Sequence, residues 1–212
     1  MGVPEENLLL LLDATAGEMN QKINVISKMV EKFTELDNQT EIIFYYAGHG
    51  LPDENTKDPY LIPVDVNGTD LASALKLYDV VKKLSKSGAD KVIVFLDACF
   101  SGGGRNQELL ASRGVKVKPR SDLLPNNVLK FSATSNTQSA LPYYAEHHGM
   151  FTYYILAKLQ ESNGEISYEE LIEHVTNKVS MQSLRVNGKE QDPTVQTGQN
   201  IMDAWRFWKV IE

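Results

Sequence analysis

Val92-Ile93-Val94-Phe95-Leu96-Asp97-Ala98-Cys99-Phe100-Ser101-Gly102-Gly103-Gly104 is the stretch on which the fold turns. It opens with five consecutive apolar residues, the length and composition of a strand buried on both faces. The run then breaks into small and polar residues around a thiol, and glycines follow, so the predicted strand ends where a reactive side chain begins. The same arrangement occurs upstream, where Ile42-Ile43-Phe44-Tyr45-Tyr46 runs directly into Ala47-Gly48-His49-Gly50. Two further strands are predicted, over Leu8 to Leu12, an apolar run stopped by Asp13, and over Val128 to Ala133.

Helical spacing fills the intervals. Thr15 and Glu18 form a capping box ahead of Met19, Ile23, Ile26, Val30 and Phe33, which recur every three or four residues. Leu71, Leu75, Tyr78, Val81 and Leu84 mark a second helix ended by Gly88. Phe151 to Leu159 follows Gly149 as a third, and Ser167 with Glu170 caps a fourth whose buried face is Leu171, Ile172, Val175 and Val179. Trp205, Phe207 and Trp208 near the end read as core or edge packing. Apolar strands alternating with helices imply an α/β fold, with a mostly parallel sheet between helical layers.

The chain has 212 residues, 42% of them hydrophobic, enough for one sizeable core, and residues 1–212 are read as a single domain. Its 28 acidic and 21 basic residues leave a net charge of -7, which argues against nucleic acid as a partner. No apolar run approaches the roughly 20 residues that cross a bilayer, and no leader pattern opens the chain, so no membrane partner and a cytoplasmic location are expected. Residues 103–125 show no clean period and carry Arg105, Arg113, Lys116, Lys118 and Arg120, the mark of an exposed inter-strand segment.

In a parallel sheet, sites form beyond the carboxyl ends of the strands, which places His49 and Cys99 at one edge. Their separation of 50 positions suits neighbouring strands joined by a crossover helix. Cys99 is the only cysteine, so it makes no intrachain disulfide and no cysteine-rich metal site. A lone cysteine is ordinarily a small buried hydrophobe; here its setting makes it the candidate nucleophile, with His49 as base and the backbone N–H groups of Gly50 and Cys99, on the turns leaving the strands, as oxyanion donors. His147 and His148 precede a helix and His174 lies within one, without a paired nucleophile. Asp97, two residues before Cys99, shares its side of the strand and is the candidate partner for a substrate cation, or else a structural carboxylate held by backbone amides. Gly102-Gly103-Gly104-Arg105 lacks the lysine and hydroxyl residue of a phosphate loop.

Tyr46-Ala47-Gly48-His49-Gly50 and Asp97-Ala98-Cys99-Phe100-Ser101-Gly102-Gly103 together resemble the caspase-like cysteine peptidases, most closely their metacaspase and bacterial branch. Tyr60 to Asp65, Phe131 to Thr134, Gln138 to Ala140 and Gly149 to Thr152 extend the likeness over nearly the whole chain. The resemblance implies a three-layer caspase-like fold and a cysteine endopeptidase acting through a Cys99–His49 dyad and an acyl-enzyme. Asp97 stands where caspases carry glutamine, which implies cleavage after Arg or Lys, with Ser132 and Gln138 lining the cleft beside it. It also implies self-cleavage within 103–125. Relative to the family, the usual first strand and helix are missing ahead of Leu8, so a second chain or a swapped element is an expected partner, and Ala47 replaces a serine of some metacaspases. No cofactor is required by the sequence and no metal ligands are assigned; calcium, needed by some metacaspases, stays open, although there is no EF-hand-like loop. The rival readings are a binding scaffold with impaired catalysis, a related peptidase of non-basic specificity, and a thiol hydrolase acting on another acyl group.

Overall fold

The computed structural model describes residues 3–68, 70–100, 118–120, 123–135 and 138–211. Most of the 103–125 segment, with Arg105, Arg113 and Lys116, therefore lies outside the described residues.

Helix α1 (Ala16–Glu35) starts as its capping box dictates: Glu18 N–H donates to Thr15 Oγ1 at 3.3 Å, and Thr15 N–H donates to Glu18 Oε2 at 2.8 Å. It is followed by β1 (Glu41–Pro52), β2 (Pro59–Ile62), β3 (Leu75–Lys76), α2 (Leu77–Lys86) and β4 (Lys91–Cys99). Beyond these lie β5 (Val128–Ser132), a small β6–β7 ribbon (Pro142–Tyr143, His148–Gly149), α3 (Met150–Glu161), α4 (Tyr168–Asn187) and β8 (Thr194–Thr197). The second capping box works as the first does, Ser167 Oγ accepting from Glu170 N–H. Gly88, at φ 91°, closes α2 in the left-handed region that a side chain disfavours.

The main sheet has the order β3-β2-β1-β4-β5-β8. Only β1–β4 and β4–β5 are parallel; β1–β2, β2–β3 and β5–β8 are antiparallel. The sheet is thus mixed, with more antiparallel than parallel pairs, and the expectation of a mostly parallel sheet is corrected. The cause is local. β1 runs three residues past His49 into a hairpin, whose turn is tied by Asp53 N–H to Asp58 O (2.9 Å) and by Asp53 Oδ1 accepting from Asn55 and Thr56 N–H. That turn sends β2 back along the last four residues of β1. β2, β3 and β8 span four, two and four residues, too short to produce a period.

Two other expectations differ from the structure. Residues 8–11 form no strand, and Leu8, Leu10 and Leu12 are exposed at 64%, 72% and 79%. An apolar run is a strand only if a neighbour takes its hydrogen bonds. Leu75, counted with the second helix, instead sits in β3, and the helix begins at Leu77.

Side chains alternate across β4, and this divides the core. Val92, Val94 and Leu96 pack with Met19, Ile23 and Val30 of α1 and with Val81 and Leu84 of α2. Ile93, Phe95 and Cys99 face the other layer, with Phe131, Tyr168 and residues of α3 and α4. Phe95 stacks on Phe131 at 5.1 Å, and Trp205 meets Phe131 edge-on at 6.1 Å. Trp205 is therefore core, whereas Phe207 is exposed.

Candidate active site

The β1–β4 register is unbroken from Glu41↔Lys91 to His49↔Cys99. The predicted base and nucleophile are therefore cross-strand partners on adjacent parallel strands, about 4.8 Å apart between strand axes. Odd-numbered positions of β4, and of β1 at Ile43 and Tyr45, face the α3–α4 layer: Cys99 belongs to that core, and Tyr45 and Asp97 each reach Thr152 of α3. Alternation assigns His49 to the same face. Gly50 lies inside β1, not on a turn, because β1 continues to Pro52.

The glycines around His49 have definite neighbours. A Cβ on Gly50 would fall 2.5 Å from the Phe100 ring and 3.0 Å from the Cys99 carbonyl oxygen. A Cβ on Gly48 would meet the Tyr46 hydroxyl at 2.7 Å. That hydroxyl bends back along the strand to donate to His49 O at 2.7 Å and accepts from Ile62 N–H at 3.3 Å. Gly48 lacks a side chain because the Tyr46 phenol occupies its place. Burial pushes the Tyr46 phenol up to about 12, so it stays a donor.

Cys99 is 4% exposed. Its sulfur accepts from Ala140 N–H at 2.6 Å and lies 3.7 Å from Ala140 O. The N–H favours the thiolate, while the carbonyl, accepting from the S–H, favours the thiol.

Asp97 is 1% exposed, and its Oδ2 accepts from Thr152 Oγ1 at 2.6 Å and from Thr152 N–H at 3.3 Å. Thr152 occupies the first turn of α3, where free N–H groups and the helix dipole favour an anion. The Thr152 hydroxyl also meets Tyr45 OH at 2.7 Å. Thr152 has one proton and the carboxylate takes it, so Tyr45 is the donor to Thr152.

Ser132 ends β5 opposite Leu96, and alternation puts its side chain on the face away from Asp97. Gln138 pairs with Asp192: its Nε2 donates to Asp192 Oδ2 at 2.6 Å and its Oε1 accepts from Asp192 N–H at 2.8 Å. The structure thus brings His49, Cys99 and Asp97 onto one face of two strands, with Ser132 and Gln138 in the frame beside them. His147 sits in a left-handed turn at φ 57°, His148 in β7, and His174 on α4, where burial lowers its proton affinity. Among the described residues, no cluster of three or more His, Cys, Asp or Glu is placed to hold a metal ion, and no helix is long and apolar enough to cross a membrane.

Sequence reasoning did not assign roles to Tyr46, Thr152, Ala140 or Gln191. Thr152 lies in the quoted Gly149-Met150-Phe151-Thr152, but its contact with Asp97 spans 55 residues and has no local signature.

A histidine and a cysteine stand in register on adjacent parallel strands, in a sheet between two helical layers. The Caspase domain family model matches residues 8–201, and the chain belongs to that family; it is a peptidase-type enzyme. Among solved structures, protein GSU0716 from Geobacter sulfurreducens is similar at 19% identity and a TM-score of 0.59, covering 91% of this chain and 79% of that one. Caspase-1 from Spodoptera frugiperda is similar at 15% identity and a TM-score of 0.53, covering 82% of this chain and 68% of that one. At these identities the likeness is one of fold. No curated protein sequence matches.

Proposed function

We propose that the chain is a cysteine endopeptidase that cuts peptide bonds after Arg or Lys. The observation that carries this reading is the pairing of His49 with Cys99 across β1 and β4, with Asp97 on the same face two residues upstream. His49 takes the thiol proton as the Cys99 sulfur attacks the scissile carbonyl carbon. A C–S bond forms, and the carbonyl oxygen becomes an oxyanion facing the backbone N–H groups of Gly50 and Cys99. The C–N bond then breaks, His49 returns the proton to the leaving amine, and an acyl-enzyme remains. Water attacks it with His49 again taking a proton, the C–S bond breaks, and the thiol is restored.

Asp97 supplies the basic preference, since a carboxylate fixed in orientation by Thr152 attracts a cation and repels an acidic side chain. Ser132, at the end of β5, and Gln138, held by Asp192, line the substrate cleft beside Asp97 in this reading. Self-cleavage falls within 103–125, among Arg105, Arg113, Lys116, Lys118 and Arg120; the described end of that segment is tied to the β1–β2 hairpin by Arg120 N–H to Lys57 O at 2.7 Å.

Fluorogenic peptides ending in Arg, Lys, Asp or Leu, with and without calcium, test the reading. Turnover of Arg and Lys peptides, lost in Cys99→Ala, is the expected result; preference for Asp, or unchanged turnover by Cys99→Ala, refutes it. Asp97→Asn is expected to impair Arg and Lys substrates selectively, whereas a uniform loss assigns Asp97 to structure. A second reading, a binding scaffold, draws support from the 4% exposure of Cys99, and predicts no turnover of any of the four peptides.

A further inference from the structure

A buried side chain 92 positions beyond Cys99 holds the neighbour of the residue that touches its sulfur. Ala133 follows β5, and Ala140 stands beside Cys99 with its N–H 2.6 Å from the sulfur. Ala133 and Leu141 are held by one side chain. Gln191 Nε2 donates to Ala133 O at 3.0 Å, and Gln191 Oε1 accepts from Leu141 N–H at 2.8 Å. Gln191 is 0% exposed, and its own backbone N–H donates to Ser183 Oγ of α4 at 3.1 Å. Ser183, also 0% exposed, donates in turn to Ser180 O at 3.1 Å. A buried primary amide satisfied at both ends is costly to displace, because moving it strands a donor and an acceptor.

We propose that Gln191 is a positioning residue for the nucleophile: it clasps Ala133 and Leu141 so that the Ala140 N–H addresses the Cys99 sulfur and favours its thiolate. The proposal rests on the reading of Cys99 as nucleophile. Leu141, whose N–H Gln191 holds, is the residue after Ala140, so loss of the clasp acts directly on the donor. His49 across the strand pair and Asp97 on its own strand are titratable groups on the face of Cys99, and Tyr143 and Tyr154 pack against its core cluster. Asp192, beside Gln191, is bonded to Gln138 and Ser180. A variant at Gln191 therefore leaves the charges around the sulfur in place.

Cys99 is the only cysteine, so the pH dependence of alkylation by iodoacetamide reports it alone and needs no peptidase activity. Gln191→Met keeps the volume and removes both hydrogen bonds. The expected result is an alkylation midpoint raised by about one pH unit, which is about tenfold slower alkylation near neutral pH, with far-UV circular dichroism unchanged. A folded Gln191→Met with the wild-type profile overturns the proposal. Ser183→Ala removes the anchor on the Gln191 backbone but leaves the clasp, so it lowers the melting temperature without moving the midpoint; an equal shift in Ser183→Ala refutes a specific role for the Gln191 amide. Should Gln191→Met not fold, wild-type protein labelled with 15N at alanine and glutamine decides. The Ala140 amide and Gln191 side-chain signals are expected to move with the alkylation midpoint, and static signals overturn the proposal. If Cys99→Ala still cleaves peptides while Gln191→Met shifts the alkylation profile, the nucleophile assignment has failed and the clasp has not.

Discussion

Replacing Thr152 by valine keeps shape and volume and removes a single hydroxyl. That hydroxyl donates at 2.6 Å to the buried carboxylate of Asp97 and accepts from Tyr45 OH at 2.7 Å. A hydrogen bond to a charged group contributes about 1.5–3 kcal/mol, and Asp97, 1% exposed, has little water to replace it. The Thr152 N–H remains at 3.3 Å and holds the loss towards the lower half of that range, about 2 kcal/mol. For a domain of this size that corresponds to a melting temperature lower by about 4–8 °C. Tyr45→Phe removes only the outer bond of the same chain, on a residue 48% exposed, and should cost about 0.5–1 kcal/mol. Urea unfolding of wild type, the two single variants and the double variant forms a cycle, and the loss in the double variant should be smaller than the sum of the two single losses, because both substitutions remove the same Tyr45–Thr152 hydrogen bond. A Thr152→Val protein as stable as wild type, or a Tyr45→Phe loss larger than that of Thr152→Val, refutes the assignment of the proton and the anchoring role of Asp97.

Three further outcomes are expected. Asp192 is held below its ordinary value of 3.8 by hydrogen bonds from Gln138 and then Ser180, so its stabilisation is full above that value and lost as pH falls through the lower folded one; Asp192→Asn should be less stable near neutral pH and show a flatter denaturation midpoint between about pH 5 and 2. Gly50→Ala drives a methyl into the Phe100 ring and should cost about 1–3 kcal/mol in urea unfolding, with part of the loss recovered when Phe100→Ala is added. His49→Ala should lower kcat/KM on an Arg-ending peptide by about 10²–10⁴-fold with the fold intact by circular dichroism.

What the sequence disclosed and what it withheld divide along physical lines. The capping boxes at Thr15 and Ser167 were legible because both partners lie within four residues and the geometry is local. The central strands were legible because β4, buried on both faces, can be little other than a continuous apolar run. The His49–Cys99 juxtaposition was legible because each residue follows such a run, although β1 continues past His49 to Pro52. The antiparallel margins were not legible: Thr194–Thr197 carries no apolar period, and its place beside β5 comes from pairing with residues more than sixty positions earlier. Leu8 to Leu12 misled in the opposite direction, since an apolar run states what would be favourable to bury and not whether a partner strand is there. Within the site, Thr152, Ala140 and Gln191 act through one hydroxyl, one backbone amide and one carboxamide. Their chemistry is ordinary and becomes specific only once 41 to 58 residues of chain are folded back.

The Tyr46 phenol, bent over Gly48 onto the His49 carbonyl, has a consequence for anyone measuring rate against acidity. With its proton affinity pushed up to about 12, this strut bears no charge anywhere an imidazole near 6.5 or a thiol near 8.5 changes state. This strut is therefore electrically silent across that range. An inflection in such a curve is not the ionisation of the Tyr46 phenol.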